Sequence, residues 1–166
     1  MNTDQFLVKS TLDYIDKATF KWQTPSNIAL VKYWGKSNPQ IPKNASISFT
    51  LNNCHTNTSI DFQRKSNAEL DSASKTVDFD LFFEGKPKEE FKPKIAEFFT
   101  RIQEYCSYIF EYKMTINSEN SFPHSSGIAS SASGLSAIAM CLMSLESKLN
   151  PDLSVKEINK KASFLA

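Results

Sequence analysis

Alternating hydrophobic and polar residues predict several β-strands in this chain. Residues 44–52 and 55–63 both alternate, so they predict two antiparallel strands joined by a turn around Asn52 and Asn53. The apolar segment 27–34 fits either a strand or a helix. Further strands are predicted at 18–22, at 112–119 and within 77–90, before a turn at 84–87.

Apolar residues at helical spacing predict helices in much of the remaining chain. Two of these helices lie over 93–110 and 128–149, and a third follows Ser154, which forms a predicted capping box with Glu157. Residues 1–17 predict a short amphipathic helical extension with a thin apolar face. This order of elements predicts a single α+β domain over all 166 residues, with helices packed against one sheet.

Composition argues against several classes of function without selecting one. The formal net charge is +1, so no global field favours nucleic acid or a membrane surface as a partner. The three cysteines are odd in number and far apart, which indicates reduced thiols in a cytoplasmic protein. The two histidines are too separated for a zinc signature. No segment has the apolar length of a signal peptide core or a membrane span.

Residues 123–136 form the first candidate site, because small and hydroxyl-bearing side chains dominate a junction between a loop and a predicted helix. Small residues let a ligand approach the backbone, and the first turn of a helix offers unpaired N–H groups and positive potential. Serine hydroxyls add hydrogen bonds to a phosphate or hold its Mg²⁺, so the segment predicts an anion-binding site. The alternative is a tightly packed helix with one serine as its N-cap. The adjacent His124 is expected to be a hydrogen-bonding loop residue.

The second candidate site is the sequence KYWGK at 32–36. Lys32 and Lys36 supply two point charges for an anionic substrate. Tyr33 can donate a phenolic hydrogen bond, and Trp34 can wall the site. The alternative, which composition alone favours, is a solvated lysine pair beside a buried aromatic residue.

Several segments resemble the diphosphomevalonate decarboxylases, and the serine-rich one also resembles the wider GHMP kinase superfamily. They are PSNIA at 25–29, KYWGK at 32–36, NASIS at 44–48, DLFFEGK at 80–86, SENSFP at 118–123 and GIASSASG at 127–134. The resemblance implies conversion of mevalonate 5-diphosphate to isopentenyl diphosphate, using ATP and Mg²⁺ and releasing ADP, phosphate and CO₂. It also implies a GHMP-kinase N-terminal domain, with a mixed or antiparallel sheet, helices on one face and a left-handed βαβ crossover, against the strong right-handed rule.

The resemblance implies roles for individual residues as well. Tyr33 and Lys36 would bind the substrate diphosphate, and Asn27 would help to order the site. Lys32 would lie near the reacting 3-hydroxyl and carboxylate groups. The residues that would bind ATP are Ser118, Gly127, Ala129, Ser130 and Ser131, and Ser131 would also hold Mg²⁺.

Two departures from the family pattern qualify this resemblance. His124, Ser125 and Ser126 stand where the family usually has threonine and small residues, which changes the polarity of the loop. Family members are about twice as long, as two domains require, and their Gly-Ser-Gly-Ser motif and catalytic aspartate have no counterpart in this sequence. We therefore expect an N-terminal portion that is inactive alone, with exposed surface that packs on a second domain or forms a homodimer. The alternatives are a mevalonate 3-kinase, a phosphomevalonate decarboxylase or a non-catalytic nucleotide-binding fragment.

Overall fold

A computed structural model describes residues 3–8, 13–32, 34–37, 41–72, 76–124 and 126–166. Its strands are β1 (Lys17–Val31), β2 (Lys36–Ser37), β3 (Ile41–Pro42), β4 (Ile47–Arg64), β5 (Asp78–Phe83), β6 (Lys86–Pro87) and β7 (Tyr112–Asn120). Its helices are α1 (Asn67–Ser72), α2 (Lys92–Ile102), α3 (Ser130–Leu149) and α4 (Val155–Leu165). Short 3-10 turns occur at Asp4–Phe6, Glu89–Phe91 and Ser107–Glu111.

Five of these strands form one mixed sheet in the spatial order β1-β4-β7-β5-β6. The pairs β1/β4 and β4/β7 are antiparallel, whereas β5 runs parallel to β7. A parallel pair needs a crossover connection, and α2 lies in the one between β5 and β7. The predicted α+β fold with a mixed sheet is therefore confirmed, whereas the left-handed sense of the crossover stays a prediction. β1 continues to Val31, so the ambiguous segment 27–34 is strand over most of its length.

The core lies between one face of the sheet and the helices. Ile60 of β4 and Ile116 of β7 oppose each other and are fully buried, while the adjacent residues Asp61 and Asn117 are exposed. Burying a side chain of this size stabilises the fold by about 1.5–3 kcal/mol. The helices contribute to the same core Phe98, Phe99 and Ile102 from α2, Ala139, Leu142 and Leu145 from α3, and Ala162 and Leu165 from α4.

The turn predicted at 52–53 is wrong, because both flanking segments belong to the single strand β4. β1 pairs with both segments, but Pro25 opposes His55 whereas the next residue, Ser26, opposes Leu51. The residues of β4 between Leu51 and His55 therefore form a bulge. A bulge shifts the alternation of faces within one strand, which explains why the sequence pattern suggested two strands. Pro25 is tolerated at this point because β1 is an edge strand of the sheet.

The helix predicted over 1–17 is also wrong in the part of this segment that the structure describes. A 3-10 turn at Asp4–Phe6 replaces it, and residues 13–16 contain no helix. Phe6 is buried, and its ring stacks on Phe164 of α4 with centroids 4.2 Å apart. Contact with α4, rather than helix propensity, therefore positions this segment.

The helix predicted over 93–110 is shorter in the structure and ends at Ile102. The Cys106 N–H donates to the Ile102 carbonyl at 3.1 Å, and the chain then turns into the 3-10 segment. This turn brings Tyr108 and Ile109 into the core, where they are 2% and 0% exposed. Burial of these two side chains thus outweighs the local preference for a longer helix.

α4 begins at the predicted capping box, which the structure confirms. The Ser154 hydroxyl accepts from the Glu157 N–H at 3.3 Å, and the Ser154 N–H donates to the Glu157 carboxylate at 2.9 Å. α4 then packs on α3 around a buried ion pair, in which Lys161 Nζ donates to both carboxylate oxygens of Glu146 at 2.7 and 2.8 Å. Among the helices of the described residues, none combines the length and apolar character that crossing a bilayer requires.

Removing one member of the buried ion pair should strongly destabilise the protein. Glu146→Leu leaves the Lys161 ammonium in the core without a counter-charge, so we expect the free energy of unfolding to fall by about 3–5 kcal/mol. Urea denaturation followed by circular dichroism measures this loss. The double variant Glu146→Leu/Lys161→Leu should recover most of it. As a control, Glu90→Ala removes the exposed partner of Lys88 and should lower the free energy of unfolding by about 1 kcal/mol or less. If Glu146→Leu lowered the free energy of unfolding no more than Glu90→Ala does, the prediction would be contradicted.

Stability should also fall in alkaline solution, because two of the three free cysteines are buried. Burial raises the pKa of the Cys106 and Cys141 thiols from 9.0 to about 12. Above pH 9 the unfolded chain loses these protons while the native protein keeps them, so the free energy of unfolding decreases between pH 9 and about 12. Urea midpoints at about pH 8 and about pH 10.5 measure the decrease. Cys106→Ala/Cys141→Ala should show a shallower decrease, and an unchanged slope would contradict this account.

Candidate functional site

A cavity of about 400 Å³ lies between the sheet, α2 and the start of α3. Its buried part is apolar, whereas its more exposed part is polar and aromatic. The apolar lining includes Leu81, Ile116 and Ile138, and the polar and aromatic lining includes Phe83, Phe91, Lys94, Ser118, Asn120, His124, Ser130 and Ser131. A cavity of this size and lining suits a small ligand that has both an apolar and an anionic part.

The backbone just before α3 leaves the N-terminus of this helix open. Gly127 and Ala129 have positive φ angles of 79° and 57°. Glycine adopts such angles freely, whereas a non-glycine residue there costs about 1–2 kcal/mol. Among the described residues no side chain caps the helix, so its first N–H groups and its dipole present positive potential. This N-terminus therefore favours an anion.

Hydroxyl groups from β1, β4 and α3, together with an amide from β7, hold the start of this helix against the sheet. The Thr24 hydroxyl donates to the Ser133 carbonyl at 2.7 Å, and the Thr56 hydroxyl lies 2.7 Å from the Ser133 hydroxyl. Thr56 also donates to the Asn120 side chain at 2.8 Å. Thr24, Thr56 and Ser133 are buried, so these bonds replace the water that the groups lose on folding. The sequence pattern did not reveal this network, because its members are far apart in the chain.

Three of the five residues predicted to bind ATP line the cavity. Ser118 lies on β7, and Ser130 and Ser131 are the first two residues of α3. Gly127 and Ala129 shape the turn that precedes the helix. The structure thus brings the predicted group together around one helix N-terminus, while the role of each residue in binding stays a prediction.

Two further features of the cavity were missed or misjudged from the sequence. Lys94 of α2 donates from Nζ to the Ser131 hydroxyl at 2.7 Å, and nothing in the local sequence marks it. His124 forms an aromatic cluster with two phenylalanines, with ring centroids 5.7 Å from Phe83 and 5.1 Å from Phe91. Both phenylalanines are only half-buried and line the cavity.

The KYWGK segment is organised by Asn44, to which the sequence pattern assigned no role. The Asn44 side chain accepts from the Trp34 N–H at 2.8 Å and donates to the Lys32 carbonyl at 3.2 Å. Trp34 is 91% exposed, so the alternative of a buried aromatic residue is wrong for this position. Tyr33 lies outside the described residues, and the backbone of Lys36 belongs to β2.

β1 and β4 extend beyond α3 as a two-stranded ribbon, formed by residues 26–31 and 47–51. The ribbon begins where the Ser26 hydroxyl donates to the Ile128 carbonyl. Asn27 lies on it, half-buried and opposite Thr50. Its large apolar side chains that are at least 40% exposed are Ile28, Leu30, Val31, Ile47 and Phe49. The expected exposed apolar surface is therefore present, while its partner stays a prediction.

Lys32 follows this ribbon and does not line the cavity that contains the serines. It lies six residues after Ser26, and an extended chain covers at most about 20 Å over that span. The KYWGK segment therefore lies near the serine-lined cavity, at the far end of the ribbon, but in the described residues Lys32 is not part of that cavity.

The cavity suits a nucleotide better than a metal ion on its own. In the part of the chain that the structure describes, no three histidine, cysteine, aspartate or glutamate side chains are grouped to hold a metal. Mg²⁺ is usually held by few protein ligands together with substrate phosphates and water. The Ser131 hydroxyl at the cavity could therefore be one ligand of an ion held mainly by phosphates.

Comparison with known proteins identifies related sequences. Residues 24–164 match the family described as diphosphomevalonate decarboxylase-like N-terminal domain. The diphosphomevalonate decarboxylase of Saccharomyces cerevisiae is 28% identical over 162 residues, covering 84% of this chain and 36% of that protein. The enzyme of Debaryomyces hansenii is 32% identical over 154 residues, covering 84% of this chain and 37% of that protein.

Solved structures give the same relationship. A mevalonate diphosphate decarboxylase from Enterococcus faecalis, studied for ATP binding mediated by mevalonate diphosphate, has a TM-score of 0.65 at 28% identity, covering 90% of this chain and 43% of that one. The decarboxylase from Legionella pneumophila has a TM-score of 0.62 at 30% identity, covering 90% of this chain and 47% of that one. A structure described as MDDEF in complex with MVAPP, AMPPCP and magnesium has a TM-score of 0.65 at 29% identity, covering 90% of this chain and 42% of that one. The chain therefore spans less than half the length of these relatives.

Proposed function

The chain belongs to the family of diphosphomevalonate decarboxylase-like N-terminal domains, and from this we propose that it provides the nucleotide-binding part of an ATP-dependent decarboxylase. The proposed substrate is mevalonate 5-diphosphate, and the products are isopentenyl diphosphate, ADP, phosphate and CO₂. The observation that carries the proposal is the cavity at the uncapped N-terminus of α3, lined by Ser118, Ser130 and Ser131.

In this proposal the polar and aromatic part of the cavity binds ATP. The phosphates lie at the N-terminus of α3, where the hydroxyls of Ser130 and Ser131 and the first N–H groups of the helix stabilise negative charge. The base lies against the half-buried Phe91 and the ring of His124, because aromatic faces suit a flat heterocycle. Mg²⁺ bound with the nucleotide would neutralise phosphate charge, with Ser131 as its protein ligand.

The residues proposed to bind the substrate lie on the KYWGK segment and the ribbon. Lys36 and Tyr33 bind the diphosphate, Asn27 helps to order the site, and Lys32 lies near the 3-hydroxyl and the carboxylate. Support comes from Asn44, whose side chain bonds to the backbone of both Trp34 and Lys32. Phosphoryl transfer depends on positioning and charge neutralisation, which lysines provide. The phosphorylated tertiary hydroxyl then leaves, positive charge develops on carbon, and the carboxylate is lost as CO₂.

A second candidate function is a nucleotide-binding fragment without catalysis of its own. The position of the groups that suit a phosphate favours it, because they all lie at the cavity beside α3, whereas Lys32 does not line that cavity. A mevalonate 3-kinase or a phosphomevalonate decarboxylase is a further alternative within the same chemistry. We also propose a cytoplasmic location, which the free thiols of Cys54, Cys106 and Cys141 support.

ATP should bind to this chain, and its affinity should depend on Ser131. Isothermal titration calorimetry with ATP and Mg²⁺ measures the dissociation constant. We expect Ser131→Ala to weaken binding about tenfold, because a hydrogen bond to a charged phosphate is lost. Ser147→Ala is the matched control, since Ser147 lies on the same helix and bonds to the Ser144 carbonyl at 2.8 Å. Absence of ATP binding by the wild-type chain, or equal losses in both variants, would contradict the proposal.

The 166-residue chain should not turn over mevalonate 5-diphosphate on its own. The reason is that the Gly-Ser-Gly-Ser motif and the catalytic aspartate expected of the family have no counterpart in this sequence. The chain matches 36–37% of the length of the two fungal relatives. Release of ADP and of CO₂ from the purified chain is the measurement. CO₂ release above background would overturn this expectation, whereas ADP release without CO₂ would favour the 3-kinase alternative.

A further inference from the structure

Lys94 is the one lysine or arginine among the residues that line the cavity, within the part of the chain that is described. It projects from α2 and donates to the Ser131 hydroxyl at 2.7 Å. Neighbouring lysines are neutralised by carboxylates: Lys92 lies 3.0 Å from Glu89, and Lys88 lies 2.6 Å from Glu90. None of the ion pairs found among the described residues includes Lys94.

The ammonium group of Lys94 and the N-terminus of α3 bring two sources of positive charge to the same end of the cavity. A helix N-terminus carries a partial positive charge, and the first turn of α3 has no side-chain cap among the described residues. Lys94 adds a full positive charge at Ser131, the second residue of that helix. A hydroxyl group compensates neither charge. A phosphate group in the cavity would compensate both, because the cation and the helix N–H groups would meet the same oxygens.

We propose that Lys94 is a positioning residue that binds the phosphates of the nucleotide, a role that rests on the proposed function. On binding, Nζ moves from the Ser131 hydroxyl to a phosphate oxygen. The move releases the Ser131 hydroxyl, which then bonds to phosphate or metal. Lys94 thereby connects α2 to the ligand and sets where the triphosphate lies along the start of α3. The side chain is exposed and long enough for this small displacement.

Calorimetry with a series of ligands tests the proposal. Lys94→Met should weaken the binding of ATP about tenfold or more and should leave the binding of adenosine unchanged, because adenosine carries no phosphate. Lys94→Arg should retain most of the ATP affinity, since it keeps the charge. The matched control is Lys92→Met on the same helix, whose ammonium already pairs with Glu89 and Asp80, and it should change ATP affinity less than about twofold.

The outcomes separate this inference from the function on which it rests. If wild type binds ATP and Lys94→Met binds it equally well, the inference fails and the proposed function stands. If wild type does not bind ATP, the proposed function itself fails. If Lys94→Met weakens ATP and adenosine equally, the Lys94–Ser131 bond only supports the fold, and the inference fails.

A measurement on the wild-type chain does not depend on any variant folding. Reductive methylation with mass spectrometry reports how accessible each lysine amine is. We expect ATP to protect Lys94 and adenosine not to, with the exposed Lys156 of α4 as an internal reference that neither ligand protects. Equal labelling of Lys94 with and without ATP, under conditions in which calorimetry shows ATP bound, would overturn the proposal.

Discussion

The close packing of α3 on β1 and β4 is the constraint on which the remainder of the structure depends. Small side chains such as Ala137 and Cys141 are fully buried, and they let the helix approach the strands. The Cys141 thiol lies 3.5 and 3.6 Å from the carbonyl oxygens of Phe20 and Thr58, one on each strand. Because a buried helix in contact with two strands cannot slide without breaking such contacts, its first turn is fixed in space. The anion-binding groups of the cavity are therefore positioned by packing that lies along the length of the helix.

Local signals in the sequence were sufficient for some elements and misleading for others. The capping box of Ser154 and Glu157 and the alternation in β7 concern residues that interact within a few positions, so both could be predicted. The pair Asn52 and Asn53 has the composition of a turn, yet it lies in a bulge. The choice between turn and bulge was made by pairing with β1, about 25 residues away along the chain, which a local pattern does not contain.

The candidate site shows the same division. The serines at the start of α3 could be predicted, because small hydroxyl side chains before a helix are a local signature of anion binding. Lys94 could not, since it reaches Ser131 from a helix 37 residues earlier in the chain and nothing distinguishes it from Lys92 in the sequence. The contact arises only when α2 crosses from β5 to β7 and its side chains face the start of α3. Tertiary geometry, rather than residue type, selects which lysine meets the cavity.

The bulge in β4 divides a continuous strand into two parts that differ in the number of strands bonded to them. Residues 56–64 are bonded to β1 on one side and to β7 on the other, whereas 47–51 are bonded to β1 alone and carry exposed apolar side chains. Opening of the ribbon breaks one ladder and exposes little buried surface, so it requires far less free energy than opening of the core. Amide hydrogens of one strand thus exchange in two regimes, one by local opening and one by global unfolding. The ribbon can therefore open while the cavity beside α3 keeps its shape.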